Sequence, residues 1–273
     1  MTHVGFIGLG SQGAPMARRV IDAGHATTLW ARRSATLAPF ADTPAKTAAT
    51  PAELASACDL VCVCVVDDAD VEGVVLGDDG VLAGLRGGGV IAVHSTVHPD
   101  TVHRLADRAR AHGVQVVDAP VSGGAPAAAQ GRLLVMAGGE GGTVDYCRPV
   151  FETFGDPVVH VGPLGSGQVA KLLNNLLFTA NLATAADTLS LGRSLGLDPK
   201  RLAEVVRRGS GSSFALARVA AAGGDLDAMA QNAGPLLRKD VGLLAQLAGA
   251  AGAEPGSVLQ AADAALRLMD HQR

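Results

Sequence analysis

The chain reads as an α/β protein: a mainly parallel sheet with helices on both faces, then an all-helical C-terminal region reached through one long helix. Two observations carry this. Short β-type runs at 4–7, 27–30, 60–66, 90–93, 114–117, 133–137 and 158–161 alternate with helical stretches, the pattern of successive βαβ units. Beyond Gly162-Pro163 those runs stop, and Ala/Leu-rich segments with helical spacing take over. The expected division is 1–163 and 164–273.

The first run, Val4-Gly-Phe-Ile, leads directly into Gly8-Leu9-Gly10-Ser11-Gln12-Gly13, with a helical pattern over 14–23. In a strand–loop–helix of this form the first glycine permits a tight turn. The second lets backbone approach a pyrophosphate, and the third lets helix and strand pack closely. The phosphates sit on free N–H groups at the helix N-terminus, where the macrodipole favours negative charge. The 1–163 region is therefore expected to be a Rossmann-type dinucleotide-binding domain; a strand–turn–helix without ligand is the alternative.

At the end of the second run a unit preferring NAD places Asp or Glu, about 20 residues after the glycines, on the ribose 2′-hydroxyl. This chain has Ala31-Arg32-Arg33-Ser34. Two guanidiniums and a hydroxyl suit a 2′-phosphate, so NADP is expected ahead of NAD, with solvated loop arginines as the plainer reading. The run at 60–66, Leu-Val-Cys-Val-Cys-Val-Val, is apolar throughout, as a strand covered on both faces should be. Further on, Asp198-Pro199 reads as an N-cap followed by proline in the first turn. Gly192 and Gly196 mark the preceding helix's end, leaving one helix over about 167–194 as a bridge between domains.

Composition excludes several classes. The chain has 273 residues, ample for two domains or one large one, and a formal net charge of −4 with pI ≈ 6.0, which gives nucleic acid no electrostatic footprint. No apolar run approaches the roughly 18 residues of a membrane span, and the start reads as a strand rather than a signal peptide. The four cysteines have no metal-ligand spacing. Cys62 and Cys64 are placed on one strand with Cys58 and Cys147 apart, as buried thiols in a reducing cytoplasm. No metal, nucleic acid or membrane partner is expected.

Four ordered segments join the opening: His94-Ser95-Thr96-Val97-His98-Pro99, Asp118-Ala-Pro-Val-Ser122-Gly123-Gly124, Gly165-Ser-Gly-Gln-Val-Ala-Lys171-Leu-Leu-Asn174-Asn175, and Leu237-Arg-Lys239-Asp240. Together they resemble the β-hydroxyacid dehydrogenases, which include 3-hydroxyisobutyrate dehydrogenase, tartronate semialdehyde reductase and the glyoxylate/succinic semialdehyde reductases. Hydride transfer between a nicotinamide and a carbonyl or alcohol needs a group that moves the oxygen's proton. The resemblance assigns that proton to Lys171, with Asn175 one turn later on the same helix face. A solvated lysine is the bland reading. Ser122, Gly123 and Gly124 follow a strand, where exposed N–H groups and a hydroxyl suit a carboxylate; the resemblance makes this the substrate turn.

The resemblance also places Thr96 near the nicotinamide ribose and Val65 and Val66 beside the adenosine. It gives Lys239 a cofactor contact across the domain cleft, with Asp240 as structural neighbour. A helix-surface ion pair is the alternative for both. The sequence departs from the family pattern at Gln12, usually Met, and at Ala31, often Asn. It departs again at Val93, often Asp, and at Arg132, often Thr. The expected activity is interconversion of a small β-hydroxy acid and its semialdehyde or oxo acid by a cytoplasmic homodimer or homotetramer. An imine reductase shares this architecture, but such enzymes typically carry Asp or Tyr in place of Lys171. A non-catalytic NADP-binding interaction protein would have no need of that lysine.

Overall fold

The computed structural model describes residues 2–273, and the chain divides into two compact units, Met1–Lys171 and Leu172–Arg273. The first runs β1 (Val4–Ile7), α1 (Gly13–Asp22), β2 (Thr27–Trp30), a 3-10 turn (Ser34–Phe40), β3 (Lys46–Thr47), α2 (Pro51–Ser56), β4 (Leu60–Val63) and α3 (Asp68–Leu76). It continues with α4 (Val81–Gly84), β5 (Val90–Val93), α5 (Pro99–Arg110), β6 (Gln115–Asp118), β7 (Val121–Ser122), α6 (Gly124–Ala129), β8 (Leu133–Gly138), α7 (Gly141–Phe151) and β9 (Gly155–Gly162). Helix α8 (Ser166–Ser194) starts in the first unit and continues into the second, which adds α9 (Pro199–Arg208), α10 (Phe214–Ala221), α11 (Asp227–Ala230), α12 (Gly234–Ala250) and α13 (Gly256–Leu268).

The strands form one sheet in the order β3-β2-β1-β4-β5-β6-β8-β7, with β9 also on β8. Pairing is parallel from β3 through β6 and between β8 and β9, while β8 runs antiparallel to β6 and β7. The chain moves outward from β1 to β3, then returns to the other side of β1 as β4. That reversal leaves a crevice beyond the carboxyl ends of β1 and β4, where open sheets of this kind bind ligands.

Both faces of the central strands β1, β4 and β5 are dry. Val4 and Phe6 of β1 pack into one cluster and Ile7 into the other. Leu60 and Cys62 of β4 oppose Val61 and Val63, and Val90 and Ala92 of β5 oppose Ile91 and Val93. Period-two alternation between two apolar layers produces a continuous apolar run. Each large side chain fully buried this way contributes about 1.5–3 kcal/mol.

The run at 60–66 is not one strand. β4 ends at Val63, so Cys62 lies on it and Cys64 beyond it. The Val65 N–H turns instead to Ser95 Oγ at 2.8 Å, a distinction that hydrophobicity alone does not carry. Strands β3 and β7 have two residues each, too short to leave a periodic signature. Cys58, Cys62 and Cys147 are buried and Cys64 partly so; burial pushes the Cys58, Cys64 and Cys147 thiols up to about 12, leaving them inert at neutral pH.

In the second unit the core is helical. Leu172, Leu176, Ala180 and Ala183 of α8 form a buried stripe at helical spacing. Asp198 caps α9 by accepting the Arg201 N–H, with Pro199 in the first turn. Among the described residues no helix is long and apolar enough to cross a membrane.

His94, just past β5, is 3% exposed and places Nδ1 2.7 Å from the Ala119 carbonyl. Phe151 and Phe154 meet its ring edge-on at 5.2 and 5.4 Å. Desolvation pulls its pKa down to about 4, against the opposing pull of that carbonyl. An unfolded histidine titrates near 6.5, so between about pH 6.5 and 4 the unfolded chain holds a proton the folded one lacks. The neutral ring's contribution is complete above that window and lost as pH falls through it, on the order of 3 kcal/mol. Denaturant titrations between pH 7.5 and 4 should show a shallower loss of stability in His94→Asn, which keeps a donor for Ala119 but takes up no proton. Parallel slopes would remove His94 from the acid response.

Candidate active site

The loop between β1 and α1 is shaped by close approach. Gly8 sits at φ +94°, and a Cβ there would overlap the Cys64 carbonyl. A Cβ on Gly13 would overlap the Gly8 carbonyl, whereas one on Gly10 would meet nothing within 4 Å. Gly8 and Gly13 thus fold the loop on itself, and Gly10 leaves its outer side open. Leu9 is buried and pins the loop; Ser11 is exposed. Gln12 occupies the N-cap of α1 without capping it, the first turn carries no acid, and Gln12 Nε2 is buried without a hydrogen-bond partner. Uncapped N–H groups, an unpaired amide donor and open space fit a pyrophosphate.

Arg32, Arg33 and Ser34, at the end of β2, are all exposed. No acid follows β2 itself, but the fold brings one from elsewhere. Arg32 Nη1 lies 3.4 Å from Asp70 Oδ1 in the first turn of α3, a carboxylate 38 residues away that no local motif marks.

Past β5, Ser95 is buried and Thr96 half-buried; Ser95 Oγ accepts the Val65 N–H, while Val66 is exposed. Ser122 closes β7, Gly123 follows at φ +131°, and Gly124 opens α6, whose N-terminus no side chain caps. A Cβ on Gly123 would crowd Ala127 at 2.7 Å, so the turn suits glycine on two counts.

Lys171 is 9% exposed, the last residue of the first unit and the sixth of α8. The start of α8 is tied to the sheet by residues that the sequence motifs contain but do not explain. Asp118, at the end of β6, accepts the backbone N–H groups of Gly165 and Gln168, both at 2.7 Å. Burial pushes its carboxyl above the usual range despite these two lowering bonds. Gln168, fully buried, accepts the Val97 N–H at 3.1 Å and donates to the Ser95 carbonyl at 2.8 Å.

One turn beyond Lys171, Asn175 donates to Asp240 Oδ2 at 2.6 Å. Asp240 is 4% exposed, so the surface reading of Lys239-Asp240 is corrected for the aspartate: it sits in the helical core, with Lys239 Nζ 3.5 Å from its other oxygen. Adjacent residues on a helix point to different sides, and only packing decides which is inside.

The chain matches the family of the NAD-binding domain of 6-phosphogluconate dehydrogenase over residues 3–162 and that described as NAD-binding of NADP-dependent 3-hydroxyisobutyrate dehydrogenase over 165–272. It belongs to the 3-hydroxyisobutyrate dehydrogenase family. The NAD-dependent L-serine dehydrogenase of Pseudomonas aeruginosa is 37% identical over 216 residues, 79% of this chain and 72% of that protein. A 3-hydroxyisobutyrate dehydrogenase of Mycobacterium tuberculosis, solved with L-serine, superposes at TM-score 0.86 and 27% identity, over 99% of this chain and 95% of that one. An imine reductase of Streptomyces aurantiacus superposes at TM-score 0.70 with 21% identity, over 97% and 93% of the two chains, a likeness of fold alone.

As a member of the 3-hydroxyisobutyrate dehydrogenase family the protein is an NAD(P)-dependent hydroxyacid dehydrogenase with a nicotinamide cofactor. The open side of Gly10 then makes a sharp prediction. Gly10→Val should leave the melting temperature nearly unchanged and weaken NAD(P)H binding at least about tenfold, because its side chain enters space that the fold leaves open in a loop whose form suits a pyrophosphate. Gly13→Val should lower the melting temperature itself. Fluorescence titration of the reduced cofactor beside calorimetry separates the two.

Proposed function

We propose that the protein interconverts a short β-hydroxy acid and its semialdehyde or oxo acid with NADP(H) in preference to NAD(H), and that Lys171 moves the proton at the substrate oxygen. The burial of Lys171 carries this reading. Lysine is almost never buried without a specific partner or task, and this one lies three residues beyond the Gln168 clamp on the Thr96 segment. In oxidation the hydroxyl proton passes to Lys171 as the carbon's hydride leaves; in reduction the proton returns to the carbonyl oxygen. The nicotinamide, when bound, accepts or supplies the hydride. Asn175 orients the reacting groups from the next turn of α8.

Ser122, Gly123 and Gly124 take the substrate carboxylate through the serine hydroxyl and the uncapped α6 N-terminus, and Thr96 takes the adjoining hydroxyl or ribose. Gly8 to Gly13 hold the pyrophosphate, Val65 and Val66 flank the adenosine, and Lys239 adds a cationic contact to the cofactor. Residues 1–163 form the dinucleotide-binding part and 164–273 the helical part. The L-serine named for both the relative and the solved structure is itself a β-hydroxy acid, which supports this substrate class. Exposed Leu191, Leu195, Leu197 and Val205 support a homodimer or homotetramer, and four free thiols suit the cytoplasm.

Lys171→Ala should lower kcat about 100-fold or more, the scale of a positioned acid–base group, with NADPH affinity within a few-fold of the parent. Lys171→Arg should not recover it, since a guanidinium does not titrate in the working range. A panel of hydroxy acids, semialdehydes and cyclic imines read by nicotinamide absorbance checks the substrate class; turnover of imines alone would replace this reading with an imine reductase.

Cofactor choice has a separate test. Replacing Arg32 and Arg33 together by alanine should weaken NADPH binding at least about tenfold, the scale of charge-assisted phosphate contacts, and leave NADH within about twofold. Equal losses for both cofactors would show that the arginines do not read a 2′-phosphate.

A further inference from the structure

We propose that Gln168 is a positioning residue for the reaction: it holds the Thr96 segment and the Lys171-bearing turn of α8 in one register, with Asp118 fixing the end of that helix. The proposal rests on the reading of Lys171 above. Three motifs far apart in sequence meet in this clamp. The Gln168 side chain uses both ends of its amide on the two peptide groups flanking Thr96, accepting from Val97 N–H at 3.1 Å and donating to the Ser95 carbonyl at 2.8 Å. Its own backbone N–H, with that of Gly165, is taken by the Asp118 carboxylate at the end of the β6 strand, four residues before Ser122.

Each bond is buried. Gln168 and Asp118 are both 0% exposed and Ser95 is 3% exposed. An amide here therefore has no water to fall back on, and a missing partner leaves a buried group unsatisfied. A carboxylate at the N-terminus of α8 also gains from the helix dipole. Lys171 follows Gln168 by three residues, one rigid helical turn. Any slip of Gln168 against Ser95 and Val97 is thus passed to Lys171 with no flexible joint between them. A misplacement of about 1 Å in a reacting constellation costs up to about 100-fold in rate.

Two variants test this. Gln168→Met keeps volume and loses both side-chain bonds. It should lower kcat at least about tenfold, with the cofactor Kd within about threefold and a larger primary isotope effect from deuterated reduced cofactor, because hydride transfer becomes limiting. Gln168→Glu offers one donor and one acceptor when protonated, the same pair the glutamine uses, but two acceptors when ionised, one of them facing the Ser95 carbonyl. Burial favours its neutral form. The ratio of its kcat to that of the parent should therefore rise as pH falls, a recovery that Gln168→Met does not show and that a merely structural role would not produce.

Lys171→Ala is assayed in parallel. If it retains near-normal turnover, the assignment of Lys171 fails, whatever Gln168 does. If Lys171→Ala is inactive while Gln168→Met turns over within twofold of the parent and the Gln168→Glu ratio is flat with pH, the positioning role is overturned and the lysine assignment stands.

Discussion

A single buried carboxylate ties the sheet to the long helix α8. Asp118 ends β6 and takes the N–H of Gly165, just before α8, and that of Gln168 in its first turn, a task that is ordinarily left to a residue just before the helix. The cap comes instead from 47 and 50 residues upstream, so it joins two elements as well as satisfying one. Desolvation raises the carboxyl's pKa while the two N–H groups pull it back down. Charge and dipole are matched here, which makes the first turn of α8 a fixed point of the first unit.

From that fixed point the rest of the site can be placed. Gln168 sits on the capped turn and grips the peptide groups on either side of Thr96. Ser95, inside the same grip, accepts the N–H of Val65 from the neighbouring strand end. The carboxyl ends of β4, β5 and β6 are thereby cross-linked by side-chain bonds just where backbone ladder bonds stop. Loops at such strand ends usually carry function because they are free to vary; these are held by buried polar bonds, whose loss leaves unsatisfied groups.

Electrostatics around the arginines follows a different logic. Arg32 and Asp70 are 80% and 29% exposed and 3.4 Å apart, a geometry in which solvent screens most of the attraction. Asp70 therefore holds Arg32 only weakly. The openness of the pair leaves the Arg32 guanidinium accessible to solvent.

Much of this was legible in the residues themselves. Short β-type runs, the Gly8-x-Gly10-x-x-Gly13 spacing, the Asp198-Pro199 start and a helix over about 167–194 are local patterns, and local backbone sterics decide them. α8 at Ser166–Ser194 and the parallel pairing from β3 through β6 agree with that reading. The end of β4 at Val63, the short β3 and β7, the burial of Asp240 and the partners of Asp118, Gln168 and Arg32 were not legible. Each depends on which distant groups the completed fold brings within hydrogen-bonding distance. A glutamine or an aspartate carries the same donors and acceptors wherever it stands in the chain; only the tertiary structure decides that Gln168 uses its amide on the two peptides beside Thr96, because the completed fold brings residues 95–97 and 168 within hydrogen-bonding distance across 71 to 73 residues of chain.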